Sequence, residues 1–169
     1  EKGIDAVYFP LESSKSIYRK LGREKKIDVL FFGNTKLADR QDYIDYLMEK
    51  GLRIEVYGET TSYLDVNELV KKICESHLVL NFSKTGYLGN EPVQESHHRC
   101  LWQVKGRIVE AGLCGTACVS EYAPSIELLY SDDELPTFRS REECYILLRS
   151  LLSNDEAREE IASRIYRRT

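Results

Sequence analysis

The stretch Ile27–Gly33, IDVLFFG, decides how this chain folds. It is a short apolar run closed by glycine, which predicts a strand buried on both faces, as in the middle of a parallel sheet. Two later runs repeat its character: Leu52–Gly58, LRIEVYG, alternates like a strand, and His77–Ser83, HLVLNFS, reads as a third. Between them the apolar period changes. Tyr43, Ile44, Leu47 and Met48 recur at helical spacing and stop at Gly51. Val66, Leu69, Val70, Ile73 and Cys74 form a second helical stripe.

The alternation continues toward the C-terminus. A long polar loop carrying Gly86, Gly89 and Pro92 leads to Trp102, which reads as a core anchor in preference to a stacking platform for a base or sugar. Gln103–Cys114 predicts a helix ended by Gly115, and Thr116–Ser120, TACVS, a strand. Pro124 suits the first turn of a short helix reaching about Tyr130. A weak strand is expected at Pro136–Phe138. Ser140 with Glu143 makes a capping box for a helix carrying Leu147, Leu148, Leu151 and Leu152. Asp155 and Glu156 open a last helix that Arg164, Arg167 and Arg168 close, in keeping with the helix dipole. Strands alternating with helices of this length predict an α/β fold, a Rossmann-like parallel sheet with helices on both faces. Residues 27–169 form that domain, and residues 1–26, irregular and ending in the charged Arg23–Lys26, form a linker in which Tyr8, Phe9 and Leu11 are available for packing.

Composition narrows the function. A net charge of −4 argues against a general nucleic-acid or anionic-membrane surface. No apolar run approaches the roughly 18–20 residues of a membrane span. The chain opens at Glu1, without Met or signal peptide, as an excised piece would. Five cysteines in no CxxC spacing read as reduced core thiols, which implies the cytoplasm.

In such sheets ligands bind beyond the carboxyl ends of the strands, which here means after Phe32, Tyr57, Phe82 and Ser120. Neither GxGxxG nor a P-loop follows the first strand, which argues against a standard nicotinamide or ATP site there. Gly33 either ends the strand or admits a ligand to the backbone beside Asn34, with Lys36 and Arg40 as cations for a phosphate. Lys105-Gly106-Arg107 is the second candidate. Two cations at a helix start oppose the dipole, whereas cations with unpaired amides make a cradle for pyrophosphate. Glu110 follows by three residues and tilts back toward that start, where a carboxylate can accept both hydroxyls of a ribose. The competing reading is an Arg107–Glu110 ion pair on a solvated face. His97 and His98 are ordinary loop residues or ligand contacts, and two adjacent histidines make no metal site. Tyr57 and Tyr63 are candidates for contacts to a base.

The stretch QVKGRIVEAGLCGTACVSEYAPSIELLY, Gln103–Tyr130, resembles the C-terminal core of GT-B glycosyltransferases, most nearly their CgeB-like, spore-maturation branch, with its KGR-x-x-E run. VEAGLCG at 109–115 resembles the LEAMACG-like segment of more distant members. The strands at 27–34, 52–58 and 77–83 and the final helices at 137–152 and beyond fit the same pattern. The resemblance implies a nucleoside-diphosphate sugar as donor, with no tightly bound cofactor and no metal. Glu110 would hold the donor ribose, and Lys105, Gly106 and Arg107 would lie beside the diphosphate. Asn81, Ser83 and the Tyr122–Ser125 turn, with Tyr122 and Ala123, would border the cleft. The acceptor sites and general base would belong to an N-terminal domain. One position departs: Trp102 stands eight residues before Glu110, where many retaining members carry a second glutamate. That replaces the usual hold on the transferred sugar. The rival readings are a non-catalytic nucleotide-binding module and a protein-interaction module retaining the fold.

Overall fold

The computed structural model describes residues 13–58, 63–85 and 101–169. Their elements are β1 (Ile27–Phe32), α1 (Arg40–Glu49), β2 (Ile54–Tyr57), α2 (Val66–Glu75), β3 (Ser76–Asn81), α3 (Gly106–Leu113), β4 (Ala117–Glu121), β5 (Thr137–Phe138), α4 (Arg141–Leu152) and α5 (Asp155–Arg168). The five strands form one parallel sheet in the order β2-β1-β3-β4-β5. The chain therefore winds outward in both directions from β1 and β3, and the crevice between their carboxyl ends is the switch point.

The alternation along β1 builds both cores at once. Leu30 and Phe32 face one layer, where α2 and α3 contribute Val70, Ile73, Ile108 and Ala111. Val29 and Phe31 face the other, against Ile44 and Leu47 of α1 and Cys144 and Leu148 of α4. Each fully buried aliphatic side chain contributes about 1.5–3 kcal/mol. The residues before β1 also lie on the body. Tyr18 and Leu21 pack on the α2–α3 layer, Lys25 Nζ donates to the Ser76 carbonyl at 2.7 Å, and Lys20 stands over the Tyr166 ring at 3.7 Å.

Helix starts follow the local chemistry. Asp65 accepts the Asn67 and Glu68 amides at the start of α2, and Asn154 caps α5 through Ala157 N. At α4, Ser140 Oγ accepts Glu143 N, and the Glu143 carboxylate reaches back to accept Arg139 N at 2.7 Å, one residue before the Ser140 amide that a capping box would use.

Several expectations need correction. Helix α3 begins at Gly106, not Gln103, because the Gln103 amide donates to the Ser83 carbonyl at 2.9 Å and Trp102 bridges Lys84 in an antiparallel pair. That extended path leaves Trp102 40% exposed, so it is no core anchor. The helix expected from Pro124 to Tyr130 shrinks to a 3₁₀ turn at Ile126–Leu128, since Ser125 takes a φ of +78°. The weak strand begins at Thr137. Met48 and Val66 share helical spacing with their stripes but are exposed on the flanks. Gly86, Gly89, Pro92, His97, His98, Cys100, Tyr8, Phe9 and Leu11 lie outside the described residues.

Candidate functional site

The site is built where β1 and β3 part. Gly33 ends β1 with φ +138°, donating its amide to the Tyr57 carbonyl at 2.7 Å. A Cβ on Gly33 would collide with Nη2 of Arg107, and one on Gly58 would collide with the Gly33 carbonyl. Glycine at both strand ends thus lets two backbones and a guanidinium share one small space.

Arg107 spans the switch point. Its Nε donates to the Phe32 carbonyl at 2.7 Å and its Nη1 to Asn81 Oδ1 at 2.7 Å. The guanidinium carbon also lies 4.9 Å from the ring centres of both Phe31 and Phe32. The charge is therefore tied to β1 and β3 together. Burial, reinforced by the positive charge of Arg40, lowers its pKa to about 10. These contacts exclude the solvated-face reading, and no ion pair joins Arg107 to Glu110 among the described residues. Asn81, fully buried, relays the connection, its Nδ2 donating to Ser120 Oγ at 2.8 Å.

Arg40, only 4% exposed, donates from Nη1 to the Asn34 carbonyl at 2.9 Å and from Nη2 to the Lys84 carbonyl at 3.2 Å. Its Nε is buried without a partner. Burial lowers its pKa, with Glu121 and Asp39 opposing the shift. Lys105 is the N-cap residue of α3, where no side chain caps the helix start. Its ammonium meets the Gln103 side-chain carbonyl. Burial, then the charges of Arg40 and Arg107, lower its pKa. Three cations thus sense one another at this edge, beside helix amides that have no intrahelical acceptor. Such a place favours a bound anion.

Glu110 does tilt back as the helix geometry predicts. Its Oε1 lies 3.8 Å from the place a Cβ on Gly106 would occupy. Burial raises its pKa, against the opposing influence of Arg107 and Tyr18. The Tyr18 phenol, pushed up to about 12 by burial and by the neighbouring Glu110 carboxylate, shows that the residues before β1 reach this site.

The remaining candidates divide. Ser83 joins the cluster, its Oγ donating to the Glu121 carbonyl at 2.7 Å. Asn34 turns its side chain to the Lys36 amide at 2.8 Å, and Lys36 is exposed. Tyr122 is occupied elsewhere, its hydroxyl on Glu127 and its ring under Arg139. Ala123 is buried and accepts the Ile126 amide. Sequence reasoning missed Glu121, a carboxylate 7% exposed whose Oε2 accepts the Ser83 and Lys84 amides at 2.9 and 2.8 Å. Its signal was a charge directly after the apolar TACVS run, at the end of a strand where ligands gather. Burial raises its pKa.

Beside Gly33 a cavity of about 230 Å³ opens between the ends of β1 and β2. Phe32, Asn34, Tyr57, Gly58, Tyr63, Leu64 and Leu69 complete its lining, and Tyr63 is 89% exposed at the mouth. Among the described residues no His, Cys, Asp and Glu side chains gather as a metal site requires, and no helix is long and apolar enough to cross a membrane.

Comparison with known proteins adds the following. A family model described as glycosyl transferase-like matches residues 19–169. Comparison with curated proteins finds no match. Among solved structures, the C-terminal domain of LpcC, a glycosyl transferase group 1 family protein from Francisella tularensis, superposes with a TM-score of 0.63 at 13% identity, covering 93% of this chain and 96% of that one. AviGT4, a glycosyltransferase involved in avilamycin A biosynthesis, gives 0.61 at 18% identity, over 98% of this chain and 53% of its own. An α1,3-fucosyltransferase solved with GDP-fucose gives 0.57 at 14% identity, over 89% of this chain and 40% of its own. At these identities the likeness is one of fold: a Rossmann-like domain spanning about half or less of the two longer enzymes.

Proposed function

The chain belongs to the glycosyl transferase-like family, and on that premise we propose that it is the donor half of a GT-B glycosyltransferase, holding a nucleoside-diphosphate sugar for transfer to an acceptor hydroxyl. The observation that carries the reading is the convergence on the start of α3: a guanidinium tied to β1 and β3, a lysine in place of a cap, and a carboxylate leaning back over Gly106. The diphosphate lies at that helix start. Because Arg107 is held by two fixed acceptors, its charge meets the charge developing on the leaving diphosphate without reorganisation. Lys105 adds to it, and Arg40, Asn34, Asn81 and Ser83 set the surrounding walls. Glu110 accepts the ribose hydroxyls. The cavity beside Tyr57 and Tyr63 adjoins Gly33 and takes the base.

The structures with GDP and with GDP-fucose among the fold's relatives support a nucleotide-sugar donor. Cations and helix amides neutralise the phosphates here, so neither a metal nor a tightly bound cofactor enters the scheme. The KGR-x-x-E run at 105–110 favours the CgeB-like branch. The four buried free thiols among the described residues suit a reducing cytoplasm. The acceptor and the general base are assigned to an N-terminal domain, so this domain alone binds donor without turnover. Isothermal titration with UDP, GDP and ADP tests the reading. Saturable binding of one of them is expected, and no heat from any at millimolar concentration contradicts it.

A further inference from the structure

Beyond Asn81 the ladder between β3 and β4 ends, while on its other side β4 continues alongside β5, where Ser120 N donates to the Pro136 carbonyl and Tyr122 N to the Phe138 carbonyl. The amides of Ser83 and Lys84 need other acceptors, since buried amides left unpaired are costly. One oxygen of Glu121 takes both. The same two residues then direct the chain toward α3. The Ser83 carbonyl accepts the Gln103 amide at 2.9 Å, and Lys84 bridges Trp102, two and three residues before the Lys105 N-cap. Lys84 is held on its other sides as well, its carbonyl by Arg40 and its ammonium by Asp39 at 2.8 Å.

We propose that Glu121 is a positioning residue of the donor site: its carboxylate fixes the exit of β3, and through Ser83 and Gln103 it fixes the approach to the amides and cations at the start of α3. This rests on the donor-site reading above. Glu121 touches no ligand in this scheme and acts through two peptide units. It is also the buried negative charge nearest in effect to Arg40 and Lys105, so its ionisation limits the positive potential offered to a diphosphate.

Two substitutions separate shape from charge. Glu121→Gln keeps a carbonyl oxygen that can accept both amides and removes the charge. Glu121→Ala removes both, and Glu121→Asp, one methylene shorter, withdraws the acceptor should the alanine variant fail to fold. Hydrogen exchange at the Ser83, Lys84 and Gln103 amides is read by NMR, and affinity by titration with UDP and GDP. The proposal expects exchange to accelerate at least tenfold in the Ala or Asp variant, with about tenfold weaker nucleotide binding. It expects both to be restored by Gln, which binds at least as tightly as the parent chain. Unchanged exchange and affinity in Ala and Asp overturn it, as does a Gln variant as impaired as Ala. If the parent chain binds neither UDP nor GDP, the donor-site reading fails, and the exchange rates alone still decide whether Glu121 holds this path.

Discussion

Helices α2 and α3 lie in one layer, follow strands of the same sheet and begin at the same edge, yet they start in opposite ways. At α2, Asp65 accepts two of the first amides, as a helix start ordinarily arranges. At α3 the cap position holds Lys105, which has no acceptor to offer, and Arg107 follows in the first turn. The first helix is complete within itself. The second concentrates positive charge where the dipole is already positive, an arrangement that costs stability unless an anion binds. On the proposed reading, the difference assigns the diphosphate to the start of α3 and leaves the start of α2 without a phosphate role.

The largest effect should come from Arg107→Ala, which strands the Phe32 carbonyl and Asn81 Oδ1. We expect a loss of about 3 kcal/mol in urea unfolding and nucleotide affinity weakened well beyond tenfold. An Arg107→Ala chain that keeps both would place Arg107 outside the site. Glu110→Gln should sharpen the contrast, because it leaves stability nearly unchanged while weakening UDP or GDP binding by about tenfold. Its pH profile carries the sign. Burial raises the pKa of Glu110, so the folded chain protonates it above the ordinary carboxylate range as pH falls. A protonated carboxyl accepts the ribose hydroxyls poorly, so affinity should decline as pH falls toward that range, and Glu110→Gln should lose this dependence.

Asp65→Ala should cost about 1 kcal/mol of stability and leave nucleotide affinity untouched. Lys105→Ser gives the smallest stability change, in the opposite direction: a cap stabilises by about 0.5–1 kcal/mol while weakening the anion site. A Lys105→Ser chain that loses stability as measured by thermal melting would show that the lysine serves the fold.

How much of this was legible in the sequence follows the same division. The layers could be read from IDVLFFG and the helical stripes, because a strand's period and a helix's period are local. The Ser140 cap of α4 was equally local. Arg107 and Glu110 were legible as candidates, but spacing alone could not separate a solvated ion pair from an inward clamp. What decides it are Phe32 and Asn81, 75 and 26 residues away in the chain. Glu121 was missed for the same reason, since its partners lie 37 and 38 residues upstream. Trp102 was misread because its exposure follows from the backbone pairing of Lys84 with Trp102, which no hydrophobic pattern encodes.

The central claim is that a nucleoside diphosphate sits on the start of α3 at the β1–β3 crevice. Amide chemical-shift mapping of this 19.6 kDa chain during titration with UDP or GDP tests it most directly. The account predicts saturable shifts, largest at Gly33, Gly106 and Arg107 and small at the Asp65 cap of α2. Saturable binding that shifts α2, α4 or α5 while leaving Gly33, Gly106 and Arg107 still would contradict it.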